Sequence, residues 1–259
     1  MKKDTLFDIK NKVYFLTSND EYLECDQVKD AKLIEDYETK WIKKQDCPLY
    51  DYLFEGASFP YQATYYRFLT FPKNQISSSD QIAILDLIRA LNNHLDILTI
   101  KKHVVVFYDG IDDFCLSDII NTINDDFSLS LKFFESGPLR ASHPQDFMKL
   151  MDAYLKYSYD HPRQYTTTRD LIFDIVHHEY DALKPIRNVI LKELDKDPHL
   201  ESIIQGMFKN NLNISQTAHD VYMHRNTVMN KIDHIYELTG FSIQNFYDAM
   251  ALYLLIRAI

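Results

Sequence analysis

The sequence predicts an α+β protein, with an N-terminal and middle α/β portion followed by an all-α C-terminal portion that ends in a helix-turn-helix. Three observations predict it. Between residues 61 and 162, β-rich runs alternate with segments of helical periodicity in the order β-α-β-β-α-β-α. From Gln164 onward the apolar residues recur only at helical spacing. Between Asn210 and Gly240 two short helical patterns flank a tight turn. At 259 residues, 46% of them hydrophobic and 14% aromatic, the chain holds one large domain or two modest ones with a sizeable core.

Residues 1–60 carry the weakest pattern. Val13 to Leu16 reads as a short strand, and Asp26 to Lys44 as a helix anchored by Ala31, Ile34 and Trp41. From Tyr65 to Phe71 runs a strand ended by Pro72. Ser78 with Gln81 offers a capping box for a helix whose buried stripe is Ile84, Ile88, Leu91 and Leu95. Ile97 to Ile100 and Val104 to Tyr108 form a hairpin across Lys101 and Lys102. A helix follows with Leu116, Ile119, Ile120 and Ile123 on one face, then a strand over Leu129, Leu131, Phe133 and Phe134. Gly137 and Pro138 break it, and from Pro144 a helix buries Phe147, Leu150, Met151, Tyr154 and Leu155.

The helical portion starts at Gln164, with Leu171, Ile172 and Ile175 on its first helix and Leu183, Ile186, Ile190 and Leu194 on the next. Asp197 caps a third, with Pro198 at its first position and Leu200, Ile203, Ile204 and Phe208 buried. Ser215 is read as the cap of the first helix of the motif, with Thr217, Ala218 and Val221 on one face and Ala218 allowing a close crossing. The chain turns at Tyr222 to His224, and His224 caps a second helix that buries Val228, Ile232 and Ile235. Its other face carries Arg225, Asn226, Met229, Asn230 and Asp233, in the place where such a helix presents side chains to a major groove. After Gly240 a last helix carries a stripe of Phe246, Met250, Leu254 and Ile256, which must cover the helix-turn-helix or a second subunit.

The run NISQTAHDVYMHRNTVMNKIDHIYELTGF closely resembles the C-terminal helix-turn-helix of the PucR/CdaR group of bacterial transcription regulators, in which N-x-S-x-T-A-x-x-L-x-x-H-R-N-T-L and L-T-G recur. The matching positions are Asn213, Ser215, Thr217, Ala218, His224, Arg225, Asn226, Thr227, Ile235, Leu238, Thr239 and Gly240. The family pattern favours Arg and Tyr after its T-L, where this chain has Met229 and Asn230, with Lys231 keeping a positive charge. The resemblance implies a transcription regulator that binds double-stranded DNA, answers to a metabolite and has a degenerate GGDEF-like domain upstream, as in the CdaR branch. The DNA-binding residues expected are Ser215, Thr217, His224, Arg225, Asn226, Thr227, Met229, Asn230 and Lys231. The divisions expected are 1–60, an α/β segment; 61–162, GGDEF-like; 163–198, a helical linker; and 199–259, the helix-turn-helix domain.

Other motifs point elsewhere. Gly110 to Phe114 reads G-I-D-D-F, a mimic of a diguanylate cyclase signature, yet a cyclase places its signature in the hairpin turn, where this chain has Lys101 and Lys102. Adjacent His177 and His178 project about 100 degrees apart on a helix, so they cannot share a metal unaided. Cys25, Cys47 and Cys115 lack zinc or disulfide spacing. The expectation is therefore no catalytic residues, no metal and no cofactor. With no signal peptide and no apolar run of about 18 residues, the protein is expected in the cytoplasm, with no membrane partner. A net charge of −10 weighs against phosphate affinity. From His199 onward only Lys209, Arg225, Lys231 and Arg257 face Glu201, Asp220, Asp233, Glu237 and Asp248. A homodimer, which presents each cation twice, is expected. The competing readings are a protein-interaction module built on the helix-turn-helix and an enzyme in the middle domain.

Overall fold

The computed structural model describes residues 6–9, 12–16, 22–24, 48–73, 76, 78–91, 96–108, 116–126 and 129–258. The chain folds as two units, Met1–Lys44 with Thr99–Lys102, and Gln45–Leu98 with His103–Ile259. In the first, β1 (Leu6–Ile9), β2 (Lys12–Leu16) and β3 (Tyr22–Glu24) form an antiparallel meander with Leu6 opposite Phe15 and Tyr14 opposite Glu24. The strand expected at Val13 to Leu16 is β2. The helix expected over Asp26 to Lys44, the three cysteines and G-I-D-D-F lie outside the described residues.

The second unit opens with α1 (Pro48–Tyr50), which runs on as a π-turn, Asp51–Glu55, ended by left-handed Gly56. There follow β4 (Tyr65–Pro72), α2 (Ser78–Leu91), β5 (Asp96–Ile100), β6 (His103–Tyr108), α3 (Leu116–Asp126), β7 (Phe133–Glu135), β8 (Leu139–Arg140) and α4 (Gln145–Ala153). This is the order that the apolar pattern predicts, with β8 added. The sheet runs β5-β6-β4-β7-β9, where β9 (Tyr165–Thr167) pairs parallel to β7 and β8 pairs with β4 beyond the end of β7.

Because successive strand residues point to opposite faces, β4, β6 and β7 bury two different sets. Leu69, Phe71, Val104, Val106, Tyr108 and Phe133 face one layer with Ile84 and Leu85 of α2 and Ile120 and Ile123 of α3. Phe68, Phe107 and Phe134 face the other, where Phe147 of α4 meets Phe68 and Phe107 at 5.0 and 5.2 Å between ring centres. Tyr154, in the π-turn Tyr154–Ser158 that prolongs α4, stacks on Phe134 at 4.5 Å.

Three expectations are corrected here. The strand predicted from Leu129 begins only at Phe133, because Asn124 reaches back from α3 and pairs both polar groups of Leu131, donating from Nδ2 at 3.1 Å and accepting at 3.0 Å. Those side-chain bonds take the place of ladder bonds. Tyr165–Thr167, expected to start the helical portion, is instead the edge strand β9. Leu155 is only half-buried, since the π-turn rotates it off the face of α4.

Then come α5 (Thr168–His178), α6 (Leu183–Ile190), α7 (Pro198–Lys209), α8 (Ile214–Asp220), α9 (Arg225–Thr239) and α10 (Phe246–Arg257). Thr167 and Asp170 form a capping box on α5. Leu194, expected on the helix of Ile190, belongs to a separate 3-10 turn, Leu194–Lys196. Among the described residues no helix is long and apolar enough to cross a membrane.

Contacts at two places fasten the helical part to the sheet and to α5. Between β7 and β8 the Ser136 hydroxyl accepts from the Phe68 amide at 2.9 Å and the Ser136 amide donates to the Phe68 carbonyl at 2.9 Å, and Gly137 and Pro138 carry the chain on to β8. A Cβ placed on Gly240 would lie 2.9 Å from the Pro138 ring, and one on Gly137 would lie 3.3 Å from the Thr239 carbonyl. Elsewhere Arg169 of α5 donates to Asp248 of α10 at 3.1 Å, and the other oxygen of Asp248 accepts from the Ser242 amide at 3.1 Å.

Candidate nucleic-acid interface

A helix-turn-helix is built from α8, a tight turn and α9. Asn213, with extended backbone, caps α8 by accepting from the Gln216 amide at 3.0 Å. α8 packs on α7 through glycine: a Cβ on Gly206 would stand 2.9 Å from the Thr217 methyl and 3.4 Å from Val221. α8 ends where Tyr222 takes a left-handed conformation, φ 55, and the Met223 amide donates to the Ala218 carbonyl at 2.9 Å. His224 returns to extended backbone and its Nδ1 accepts from the Asn226 amide at 3.2 Å, so α9 starts on a histidine cap. Val228, Ile232, Ile235 and Leu238 are buried along α9. Gly240, left-handed at φ 75, closes it by donating to the Tyr236 carbonyl at 2.7 Å.

The nine residues expected to meet DNA divide into groups. Arg225, Asn226, Thr227 and Asn230 are exposed on the first turns of α9, with His224 beside them as the cap and Met229 half-buried at their edge. Ser215 is exposed on α8 but does not cap it, because the residue with extended backbone one step before the helix is Asn213. Thr217 is 0% exposed, wedged against Gly206, so it is a packing residue and not a DNA contact. Lys231 is not a free cation: its Nζ donates to Asp197 Oδ2 at 2.9 Å, and Asp197 also caps α7 through the His199 amide at 2.9 Å. The Lys231 ammonium, then the His199 amide, hold the Asp197 carboxyl below its usual range.

The same neutralisation recurs at Asp220, which accepts from Lys209 at 3.1 Å, Asn210 at 3.2 Å and Gln216 at 3.3 Å, with His219 at 3.5 Å. Lys209 first, then Asn210 and His219, pull its carboxyl down to about 2. Arg257 lies over the Tyr253 ring, 5.3 Å from its centre. Among the described residues no carboxylate pairs with Arg225. The exposed face of α9 thus presents one uncommitted guanidinium beside two amides.

Tyr222, 95% exposed in the turn, is a candidate site residue that the sequence pattern does not single out. Its signal is conformational: an aromatic residue sits at a left-handed position that favours glycine or asparagine, in the turn that leads into α9. The second tempting cluster dissolves. His177 and His178 are exposed at the end of α5 with rings 5.2 Å apart, and no group of three or more metal-ligating side chains occurs among the described residues.

Two capped helices crossing at a left-handed turn, the second with its first turns exposed, define a helix-turn-helix domain of the DNA-binding class. The comparison with protein families gives its type. Residues 202–258 match the PucR C-terminal helix-turn-helix domain. A solved structure described as a regulator of polyketide synthase expression from Bifidobacterium adolescentis is similar over 77% of this chain and 82% of that one, at 17% identity and a TM-score of 0.35. No curated protein matches the sequence.

Proposed function

We propose that the protein is a sequence-specific DNA-binding transcriptional regulator, cytoplasmic and dimeric, whose helix α9 enters the major groove. The observation that carries this reading is the exposed first turn of a PucR-type α9, with Arg225 uncommitted and Asn226 beside it. Arg225 is assigned to a guanine edge, through paired bonds to O6 and N7, and Asn226 to adenine or a phosphate. Asn230 extends the base-reading face by one turn, and Thr227 and Tyr222 serve phosphates. Residues 199–259 are the DNA-binding portion, 163–198 the connection and 61–162 a degenerate GGDEF-like portion that carries a metabolic signal. The resemblance to the PucR/CdaR group supports the signal without naming the metabolite.

Selection of bound fragments from a genomic library, followed by electrophoretic shift against excess unrelated duplex, tests the reading. A shift that survives competitor supports it; equal binding to every fragment, or none, favours the interaction module, which the net charge of −10 makes the second reading. The middle portion is proposed to be catalytically silent, because the hairpin turn holds left-handed Lys101 and Lys102, φ 49 and 63, where a cyclase needs small and acidic residues for phosphate and Mg²⁺. Incubation with GTP and Mg²⁺ is expected to leave GTP unchanged. Cyclic dinucleotide made by the wild type and abolished by Asp112→Ala would contradict it.

A further inference from the structure

Of the α10 stripe expected to cover the helix-turn-helix or a second subunit, Phe246 and Met250 are exposed and Leu254 and Ile256 half-buried. Phe246 is 67% accessible, Tyr247 61%, Met250 45% and Tyr253 41%, while Ala249, Ala251, Leu252 and Leu255 are the residues turned into the core. Among these aromatics a groove of 410 Å³ opens between α10 and the end of α7, walled by Phe208, Leu212, Phe246, Met250 and Tyr253. The turn that supplies its far wall is strained. Asn211 and Leu212 are both left-handed, φ 51 and 63, and the Leu212 amide donates back to Met207 at 2.7 Å. A left-handed backbone is unfavourable for leucine, and the result is an apolar side chain set on the rim of a hollow.

We propose that this face is the contact between two copies of the chain, with Phe246 of each copy seated in the groove of the other. The inference rests on the reading of the protein as a dimeric regulator and gives that dimer its surface. Its first support is shape: Phe246 is 67% exposed and stands on the wall of the hollow itself, so one face offers both an aromatic to insert and a groove to receive its counterpart, as a two-fold contact requires of a single surface. Area is the second. At roughly 200 Å² for a full side chain of this size, the four exposed residues alone offer about 430 Å² per copy, or about 850 Å² for a pair. That falls short of the ~1,200 Å² at which specific interfaces begin, so the half-buried Phe208 and Leu212 and further residues of each copy join the contact.

Charge is the third support, and it separates a second copy from DNA. Two molecules of net charge −10 repel, so a close contact between them is favoured at a patch free of carboxylates. Among the described residues none lines the groove, and Asp248, in the first turn of α10, is turned away to Arg169 and Ser242. No cation among them lines it either, so a phosphate backbone has nothing to pair with there.

Sedimentation of the full chain without DNA tests the proposal. The wild type is expected to be dimeric at micromolar concentration. Phe246→Asp and Met250→Asp are expected to weaken association about 30-fold or more, with unchanged circular dichroism because both side chains are exposed in the free chain, and Phe246→Leu is expected to keep most of it. A monomeric wild type, or Asp variants that associate like the wild type, overturns the proposal. The outcome stands apart from DNA reading. A wild-type dimer broken by Phe246→Asp keeps this surface even if no fragment shifts, whereas a wild-type monomer that shifts DNA sinks the surface and keeps the regulator.

Discussion

Asp220 gathers Lys209, Asn210, Gln216 and His219 at the end of α8 and ties that helix to the end of α7. Its carboxyl falls from an ordinary 3.8 to about 2 on folding, so its contribution to stability is complete above about pH 4 and is lost as pH falls through about 2. Asp220→Asn is expected to lower stability at neutral pH and to flatten this acid limb, measured by urea unfolding between pH 2 and 5; an unaltered pH profile would contradict the assignment. Gly240 acts through space and backbone together. Alanine there would be held at φ 75 and would drive its Cβ to 2.9 Å from Pro138. Gly240→Ala is expected to cost about 1–3 kcal/mol in chemical denaturation, and a change within about 0.5 kcal/mol, the ordinary range for a surface site, would show that neither constraint is felt.

At the scale of elements, α9 sits where its pattern places it, because Val228, Ile232 and Ile235 differ sharply from the polar residues between them. On α10 the expected stripe of Phe246, Met250, Leu254 and Ile256 is not the face buried within the chain, for the opposite reason. Nearly every residue from Phe246 to Ile256 is apolar, so two stripes fit the helical period, and the small Ala249 and Ala251 that permit close packing mark the buried one. The cap of α8 lies two residues before the expected Ser215, since Asn213 and Ser215 are both good caps and only the backbone decides between them. The pair between Lys231 and Asp197 is beyond sequence reasoning altogether, as its members lie 34 residues apart. It carries a prediction. Asp197→Asn keeps a capping oxygen on α7 but releases Lys231 from its ion pair, so DNA affinity is expected to rise and the log–log salt slope to steepen by about 0.9; an unchanged slope would mean that Lys231 never reaches a phosphate.

Taken whole, the molecule's second unit joins a sheet covered on both faces to a helix-turn-helix, through Gly240 against Pro138 and Arg169 against Asp248. The strand and helix order is legible in the sequence because β-rich runs and helical stripes alternate from Tyr65 to Tyr154. The strand β9 is not, since three residues of Tyr and Thr are too short to show a period. The helix-turn-helix itself is legible from its His224-Arg225-Asn226-Thr227 run, while the burial of Thr217 and the capture of Lys231 depend on contacts with α7 and its cap. What matters most for function is whether α9 reads DNA through Arg225. The affinity of folded Arg225→Ala protein for a selected fragment and for single-base variants of it, beside the wild type, answers that directly. A loss of about 1–3 kcal/mol together with relaxed preference at particular base pairs is expected. Unchanged affinity and unchanged selectivity would contradict the assignment of α9 as the reading helix.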